Sequence, residues 1–293
     1  GIVPILALLA ILGAVNISGE ALGVGDKKFD FLGAFLLAVT FTSLLFTFNN
    51  AGTHGWLSLN FSGWCLWSIV MIAIMVTYAL KGRRKLIDYS ILKLPVLRLR
   101  LFNYFGLQFI NIGLSFVLPL FAQTVLGASA MMAGLMMLPG AIVGAITGPI
   151  AGKIYDKQGP TMLLTFSAIM ASVALILFWL TTDHFTVVLI ASIYALLRIG
   201  FNTGFGTAIS DGSTRVPLPQ KSDQNSMFSM MQQYAGSIGT SIMSAVISGY
   251  EIHHTTVTGT VMGSKLDFIL LFILAIAILA SVLRVKRLEA AQH

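Results

Sequence analysis

Residues 119–160 read PLFAQTVLGASAMMAGLMMLPGAIVGAITGPIAGKIYDKQGP, and this stretch predicts how the chain folds. Glycine recurs there at every fourth position, at Gly140, Gly144, Gly148 and Gly152. Residues four apart lie on nearly the same face of an α-helix, so the pattern predicts an apolar helix with a stripe free of side chains. In a membrane, such a stripe lets a neighbouring helix approach closely. The next step of four reaches Asp156, in a charged turn that closes at Gly159.

The composition places the chain among membrane proteins. Of its 293 residues, 56% are hydrophobic and 10% are charged, and the mean hydropathy is +0.87. In a soluble chain about a quarter of the residues are charged. The formal net charge is +7, but the basic residues stand between apolar runs and not in a patch with interleaved aromatics. The expected partner is therefore the lipid bilayer and not a nucleic acid.

Nine runs are apolar over the length of roughly 20 residues that a helix needs to span a bilayer. They cover residues 2–18, 31–48, 62–80, 101–125, 131–154, 161–182, 185–209, 226–249 and 266–284. Open strands are excluded as spanning elements because lipid cannot satisfy their backbone groups. The predicted fold class is an all-α membrane protein, a bundle with about nine transmembrane helices.

Lys and Arg residues predict the orientation, because cytoplasmic connections carry an excess of them. An alternating path through the nine spans places 16 of the 18 on the side of the C-terminus, with Lys265 opposite and Arg198 inside a span. The C-terminus is therefore expected in the cytoplasm. The longest basic connection, residues 81–100, alternates apolar and basic residues and is expected to lie at the inner membrane surface.

Several motifs follow one another along the chain. FDFLG stands at 29–33, LIDYS at 86–90, PLFAQ at 119–123, LPG at 138–140, GKIYDKQG at 152–159 and GSIGT at 236–240. In this order they resemble the 14-helix drug/proton antiporters of the major facilitator superfamily, the EmrB/QacA-like group. The matches extend over nearly the whole chain, and together they are specific although each one is short.

The resemblance implies a domain organisation within a major-facilitator-type bundle. Residues 1–20 would be the last helix of an N-terminal bundle whose first five helices precede this sequence, and 21–80 would form two extra central linker helices. Residues 81–100 would be a basic cytoplasmic connection, and 101–293 a six-helix bundle with a basic cytoplasmic tail. The six-helix bundle is expected to divide into two inverted three-helix repeats.

The same resemblance implies secondary active efflux. Amphipathic or cationic drugs, or other toxic small molecules, would leave the cell in exchange for protons by alternating access in the cell membrane. The chain would need the missing N-terminal bundle as its partner and the proton gradient as its energy source, with no cofactor. Two alternatives remain open: a major-facilitator transporter for a metabolite or other small solute, and the membrane permease subunit of a multi-subunit complex.

An enzyme is not expected, because the sequence has no P-loop, no nucleophile elbow and no HExxH helix. No catalytic residues are therefore predicted. The pair His253 and His254 lies in residues 251–264, which are predicted to be a solvated loop. A metal site is not predicted there, because no suitable set of ligands accompanies the two histidines.

The turn after the glycine stripe is the candidate gate. The resemblance implies that Gly152, Asp156, Lys157 and Gly159 hold one of two arrangements of the transporter through charged contacts. The alternative is an ordinary charged turn that only orients the chain. Close helix packing is expected at five other glycines: Gly140, Gly144, Gly148, Gly236 and Gly239.

Arg198 lies about midway along its predicted span, where a charge costs at least about 2.5 kcal/mol and favours a position facing the bundle interior or a cavity. The alternative is a side chain that extends toward the membrane surface. Amides among aromatics suit a cavity for amphipathic compounds, or equally hydrogen bonds between helices. The candidate cavity residues are Gln108, Asn111, Gln123, Arg198, Gln232 and Gln233.

The eleven acidic residues also shape the functional prediction, because none is predicted at the centre of a span. Proton coupling normally requires a titratable group buried in the membrane. The coupling residue is therefore expected outside this sequence.

Overall fold

The computed structural model describes residues 30–55, 58–81 and 89–290. The first predicted span, residues 2–18, lies outside the described residues, as do residues 82–88 of the basic connection predicted at 81–100.

The described part of the chain consists of α-helices and short turns, and it contains no strand. The helices are α1 Phe31–His54, α2 Leu59–Lys81, α3 Pro95–Thr124, α4 Ala130–Leu135, α5 Leu138–Gln158, α6 Pro160–Thr181, α7 Val187–Thr214, α8 Lys221–Glu251 and α9 Thr256–Ala290. Short 3₁₀ turns occupy Tyr89–Lys93, Thr182–His184 and Leu218–Gln220. The predicted all-α fold class is confirmed.

Seven segments of the described chain are long and apolar enough to cross a membrane. They are α1, α2, α3, α4 together with α5, α6, α7 and α9. The predicted span at 226–249 lies within α8, which is 31 residues long but carries Ser, Gln and Asn side chains along much of its length. Eight of the nine predicted spans therefore coincide with helices.

Three helix ends differ from the prediction, and each difference moves a charged residue into a helix. α3 begins at Pro95 and not at residue 101, because proline at the first helical position loses no hydrogen bond. α7 continues to Thr214, so Asp211 lies within it. α9 begins at Thr256, so the loop predicted at 251–264 is wrong and only residues 252–255 connect α8 to α9.

α3 lies at the centre of the bundle and packs against α7, α8 and α9. α6 packs against α7 and α9, and α5 packs against α7. These contacts repeat when α3, α5 and α6 are matched in that order with α7, α8 and α9. The contact of α3 with α8 then corresponds to that of α7 with α5, and the contact of α6 with α7 corresponds to that of α9 with α3. This is the pattern of two three-helix repeats.

The centre of the bundle is apolar. Leu114, Phe121 and Phe178 are fully buried there, and Phe178 stacks on Phe268 with ring centroids 5.3 Å apart. α1 and α2 pack against each other, and α1 also packs against α8. The division of the chain into linker helices and a C-terminal bundle stays a prediction.

Candidate functional site

The candidate cavity centres on Arg198 of α7. Its Nη1 donates a hydrogen bond to Asn111 Oδ1 of α3 at 2.6 Å, and the guanidinium lies 5.0 Å from the ring centroid of Phe201, one turn further along α7. Arg198 is half-buried. Its Nε is buried with no hydrogen-bond partner among the described residues. The side chain therefore keeps donor capacity while it bridges two helices.

Two glycines of the stripe make room for this side chain. A Cβ at Gly140 would lie 2.5 Å from Tyr194 Cδ1 and 2.9 Å from Arg198 Cγ, and one at Gly144 would lie 3.4 Å from Arg198 Nη2. The predicted stripe thus accommodates large side chains of α7, and not the α7 backbone. This differs from the expected close approach of two backbones, because α7 presents Tyr194 and Arg198 at the contact.

The close packing along the glycine stripe ends after Gly144. A Cβ at Gly148 or at Gly152 would meet no atom within 4 Å in the part of the chain that the structure describes. The close packing predicted at Gly148 is therefore not found among the described residues.

α8 approaches α3 closely at the GSIGT motif. A Cβ at Gly239 would lie 3.2 Å from the Phe109 carbonyl oxygen, and one at Gly236 would lie 2.8 Å from Ile112 Cδ1. Both glycines are buried. The first of these contacts is to backbone, the arrangement in which a small residue lets two membrane helices meet.

The remaining predicted cavity residues are not all gathered at Arg198. Gln232 accepts a hydrogen bond from the Tyr104 hydroxyl at 2.8 Å, and Gln108 is buried with no partner for its Oε1 among the described residues.

Gln233 is exposed. Gln123 is also exposed, and its Nε2 bonds to the Pro119 carbonyl. Gln123 stands twelve residues beyond Asn111 on α3, about 18 Å along the axis.

The candidate gate lies where α5 ends and α6 begins. Gly159 adopts φ +74°, a left-handed conformation that favours glycine and terminates α5. Pro160 then begins α6, where its missing N–H costs nothing. Asp156 and Lys157 are exposed, and neither forms an ion pair with a described residue. The gating role of this turn stays a prediction.

A buried ion network lies close to this turn, and sequence reasoning missed it. Arg100 Nε of α3 lies 2.5 Å from Asp211 Oδ2 of α7. Arg215 Nη2 lies 3.0 Å from Asp211 Oδ1 and 2.5 Å from Glu289 Oε1 of α9. Tyr155, within the gate motif, is close enough to this network to interact electrostatically with Asp211, Arg215 and Arg100.

The network joins the ends of three helices. Burial alone would lower the pKa of Arg215, but the charges of Asp211 and Glu289 and their hydrogen bonds raise it above its usual value. The sequence signal was present as a basic residue, Arg100, just before the apolar run 101–125, and as Asp211 and Arg215, four residues apart, just after the run 185–209. These residues are predicted to lie in connections, because the predicted spans at 101–125 and 185–209 stop short of them.

One further acid was missed for the same reason. Asp267 was placed at the edge of its predicted span, whereas in the structure it lies inside α9 and is fully buried. Among the described residues no group of three His, Cys, Asp or Glu side chains is arranged to hold a metal ion.

Comparison with known proteins supports a transporter. The family model of the Major Facilitator Superfamily matches residues 79–240, more than half of the chain. An uncharacterized MFS-type transporter of Bacillus subtilis, YhcA, is 28% identical over 87% of this chain and 48% of its own length. The lincomycin resistance protein LmrB of Listeria innocua is 27% identical over 86% of this chain and 54% of its own.

A third relative is the multidrug resistance protein B homolog of Mycobacterium tuberculosis, which is 25% identical over 80% of this chain and 44% of its own. The chain thus spans about half the length of the curated relatives that it matches. A helical bundle with several membrane-spanning helices agrees with the family match. This multi-pass membrane chain therefore belongs to the Major Facilitator Superfamily, a family of transporters and not of enzymes.

Proposed function

We propose that this chain is the C-terminal portion of a 14-helix drug efflux transporter that exports amphipathic or cationic compounds in exchange for protons. Three observations support the proposal. The ordered motifs resemble the EmrB/QacA-like group, two of the relatives above are named for drug resistance, and the matches cover about half of each relative. The other half of the cavity would come from the preceding helices of the same protein, in the cell membrane and with the C-terminus in the cytoplasm.

The contact between Arg198 and Asn111 is the observation that carries the proposal. A guanidinium inside an apolar helix is costly unless it faces water or a polar partner. Here it has one amide partner at 2.6 Å, an aromatic face at 5.0 Å and a buried Nε without a partner among the described residues. A small number of polar groups set among aromatic rings is typical of sites that bind amphipathic small molecules.

The arrangement also supports two states of the transporter. Arg100 and Asp211 are buried within this bundle, so their pairing would persist while the bundle moves as a unit. Asp156 and Lys157 are exposed at the end of α5, where they are free to pair with the other bundle in one state and to separate from it in the other. The proton gradient would then drive exchange between the two states.

The test expresses the whole reading frame that carries this chain in a drug-sensitive bacterial host. The measurement is the accumulation of lincomycin and of a cationic dye, with and without a protonophore. We expect lower accumulation that the protonophore reverses, and loss of this effect in Arg198→Ala. Gly206→Ala, on the same helix α7, is the matched control, because the added Cβ would meet no described atom within 4 Å. Unchanged accumulation of both compounds, with the protein present in the membrane, would contradict the proposal.

A further inference from the structure

α9 carries an acidic side chain that is buried without a hydrogen-bond or ion-pair partner among the described residues. Asp267 is 0% exposed, and both of its carboxyl oxygens lack a hydrogen-bond partner in the described residues. It stands eleven residues after Thr256, where α9 begins, which is about 17 Å along the helix axis. A buried carboxylate normally has an ion pair or hydrogen bonds, since an unpaired charge in an apolar interior is very unfavourable.

The surroundings of Asp267 are apolar. The next residue, Phe268, packs against the rings of Phe178 and Phe185. One turn further along α9, Leu271 lies beside Gly113 of α3, as does Met243 of α8. The carboxyl group thus lies in the bundle formed by α3, α6, α8 and α9.

The ionisable side chains on the elements that pack against α9 form no ion pair or hydrogen bond with the Asp267 carboxyl group. α6 has no ionisable side chain. In α3 the last ionisable residue is Tyr104, and none occurs between it and the end of the helix at Thr124. At this end of the bundle, α8 contributes Tyr250 and Glu251, and the turn before α7 contributes Asp183 and His184. On α9 itself, Lys265 is paired with Asp183 at 2.7 Å. None of these forms an ion pair or a hydrogen bond with Asp267.

Two hydroxyls lie between Asp267 and the end of α8. Thr260, Ser264 and Asp267 follow one another at intervals of four and three residues, so they share one face of α9. All three are 0% exposed. Thr260 Oγ1 donates to Glu251 Oε1 at 2.8 Å, whereas Ser264 Oγ has no partner in the described residues. Glu251 itself is half-buried.

Close packing holds this polar row in place. A Cβ at Gly259 would lie 2.7 Å from Glu251 Cα, and one at Gly263 would lie 2.6 Å from Ile247 Cα. The α8 backbone therefore lies directly against the first turns of α9. Residues three or four apart on a helix have Cβ atoms about 5–6 Å apart, a gap that one water molecule can bridge between two hydroxyls.

We propose that Asp267 is a proton-binding site, and that Glu251, Thr260 and Ser264 form the route by which the proton enters and leaves. A proton from water at the α8 end passes to the Asp267 carboxylate, which becomes a neutral carboxylic acid, and the reverse step returns the proton. In the conformation described here the acid is protonated, because a neutral carboxyl group can remain buried without a charged partner. The use of this proton for drug export rests on the proposed function, but its binding does not.

The test is infrared difference spectroscopy of the purified full-length protein in detergent while the pH is raised. We expect a carbonyl stretching component of a protonated carboxylic acid to persist above neutral pH in the unmodified protein and to be missing in Asp267→Asn, whereas components from acids in the preceding helices remain. Asp183→Asn is the matched control, because Asp183 is exposed and paired with Lys265. This variant should keep the band. Asp267→Asn replaces the neutral acid by a neutral amide, so its melting temperature should be close to that of the unmodified protein.

The route is tested by the rate at which the band shifts after transfer into heavy water. Glu251→Gln and Thr260→Val should slow this shift at least tenfold, whereas Asp183→Asn should leave it unchanged. A spectrum of Asp267→Asn that retains every carboxylic acid component of the unmodified protein, or a component that sodium abolishes at constant pH, would overturn the proton site. Unchanged exchange in both route variants would overturn the route. The spectra involve no drug, so a failure of drug export leaves this result intact.

Discussion

Arg100 and Asp211 form an ion pair in which Nε and Oδ2 lie 2.5 Å apart and neither side chain is exposed by more than 3%. The pair joins α3 to α7, the first helices of the two three-helix repeats, at the end where α5 turns into α6. Both Nη atoms of Arg100 are buried without partners in the described residues. The carboxylate of Asp211 is thus the charge that compensates a deeply buried cation, and Arg215 shares it.

Replacing Asp211 by Asn should strongly destabilise the bundle. The change leaves the Arg100 charge buried and unpaired, and breaking one partner of a buried pair typically costs about 3–5 kcal/mol. Thermal unfolding of the purified protein in detergent measures the loss. Asp183→Asn is the control, because its partner Lys265 is a third exposed and such pairs contribute only about 0–1 kcal/mol. Equal melting temperatures for the two variants would contradict the assigned role of the buried pair.

The pair between Arg215 and Glu289 should depend on salt, unlike the pair between Arg100 and Asp211. The side chains of Arg215 and Glu289 are 31% and 28% exposed, so dissolved ions can screen their attraction. We expect Glu289→Gln to destabilise the protein by less than about 1 kcal/mol at low salt and by almost nothing at high salt. The melting temperature is compared in both conditions. A large loss of stability that persists at high salt would contradict this prediction, because it would show that dissolved ions do not screen the pair.

Alanine should have opposite effects at two glycines of α5. At Gly140 the new Cβ would collide with Tyr194 at 2.5 Å, and forcing extra atoms into a packed site costs about 1–3 kcal/mol. At Gly152 it would meet no described atom within 4 Å, so the better helix propensity of alanine should stabilise the protein by up to about 1 kcal/mol. Melting temperatures in detergent test both changes. The idea fails if Gly140→Ala is as stable as Gly152→Ala.

Arg198 should be accessible from a cavity that drug occupies. We expect Arg198→Cys, made after replacing Cys65 by Ser, to react with a membrane-impermeant thiol reagent and to be protected several-fold by a transported drug. The physical reason is the half-buried side chain beside Asn111 and Phe201. Mass spectrometry of the labelled protein provides the measurement. Labelling that drug leaves unchanged would argue against a place in the cavity.

Asp156 should matter for transport and not for folding. It is exposed and has no ion pair with a described residue, so Asp156→Asn should leave the melting temperature and membrane insertion unchanged. If the turn is the gate, the same variant should abolish drug efflux. Gln158→Ala, two residues further along the same exposed turn, is the control. Normal dye efflux by Asp156→Asn would exclude the gating role.

The sequence by itself determined the class of the fold, because the length of an apolar run and the position of Lys and Arg are local properties. These two signals located eight of the nine predicted spans within observed helices and predicted Arg198 inside a helix. The left-handed turn at Gly159 followed by Pro160 also reads directly from residue types, since few other residues adopt that conformation.

Only the tertiary structure decided which charged residues are buried. Asp211 and Asp267 stood at the ends of predicted spans, because an apolar window stops where a charge begins. A helix continues past a charge when neighbouring helices shield it, with a partner for Asp211 and with an apolar setting for Asp267. Likewise the glycine stripe predicted a close contact, but only the packed structure shows that a Cβ at Gly140 would meet Tyr194 and that one at Gly148 would meet no described atom within 4 Å. Burial depends on what the other helices bring to the same place, and that information is not local in the sequence.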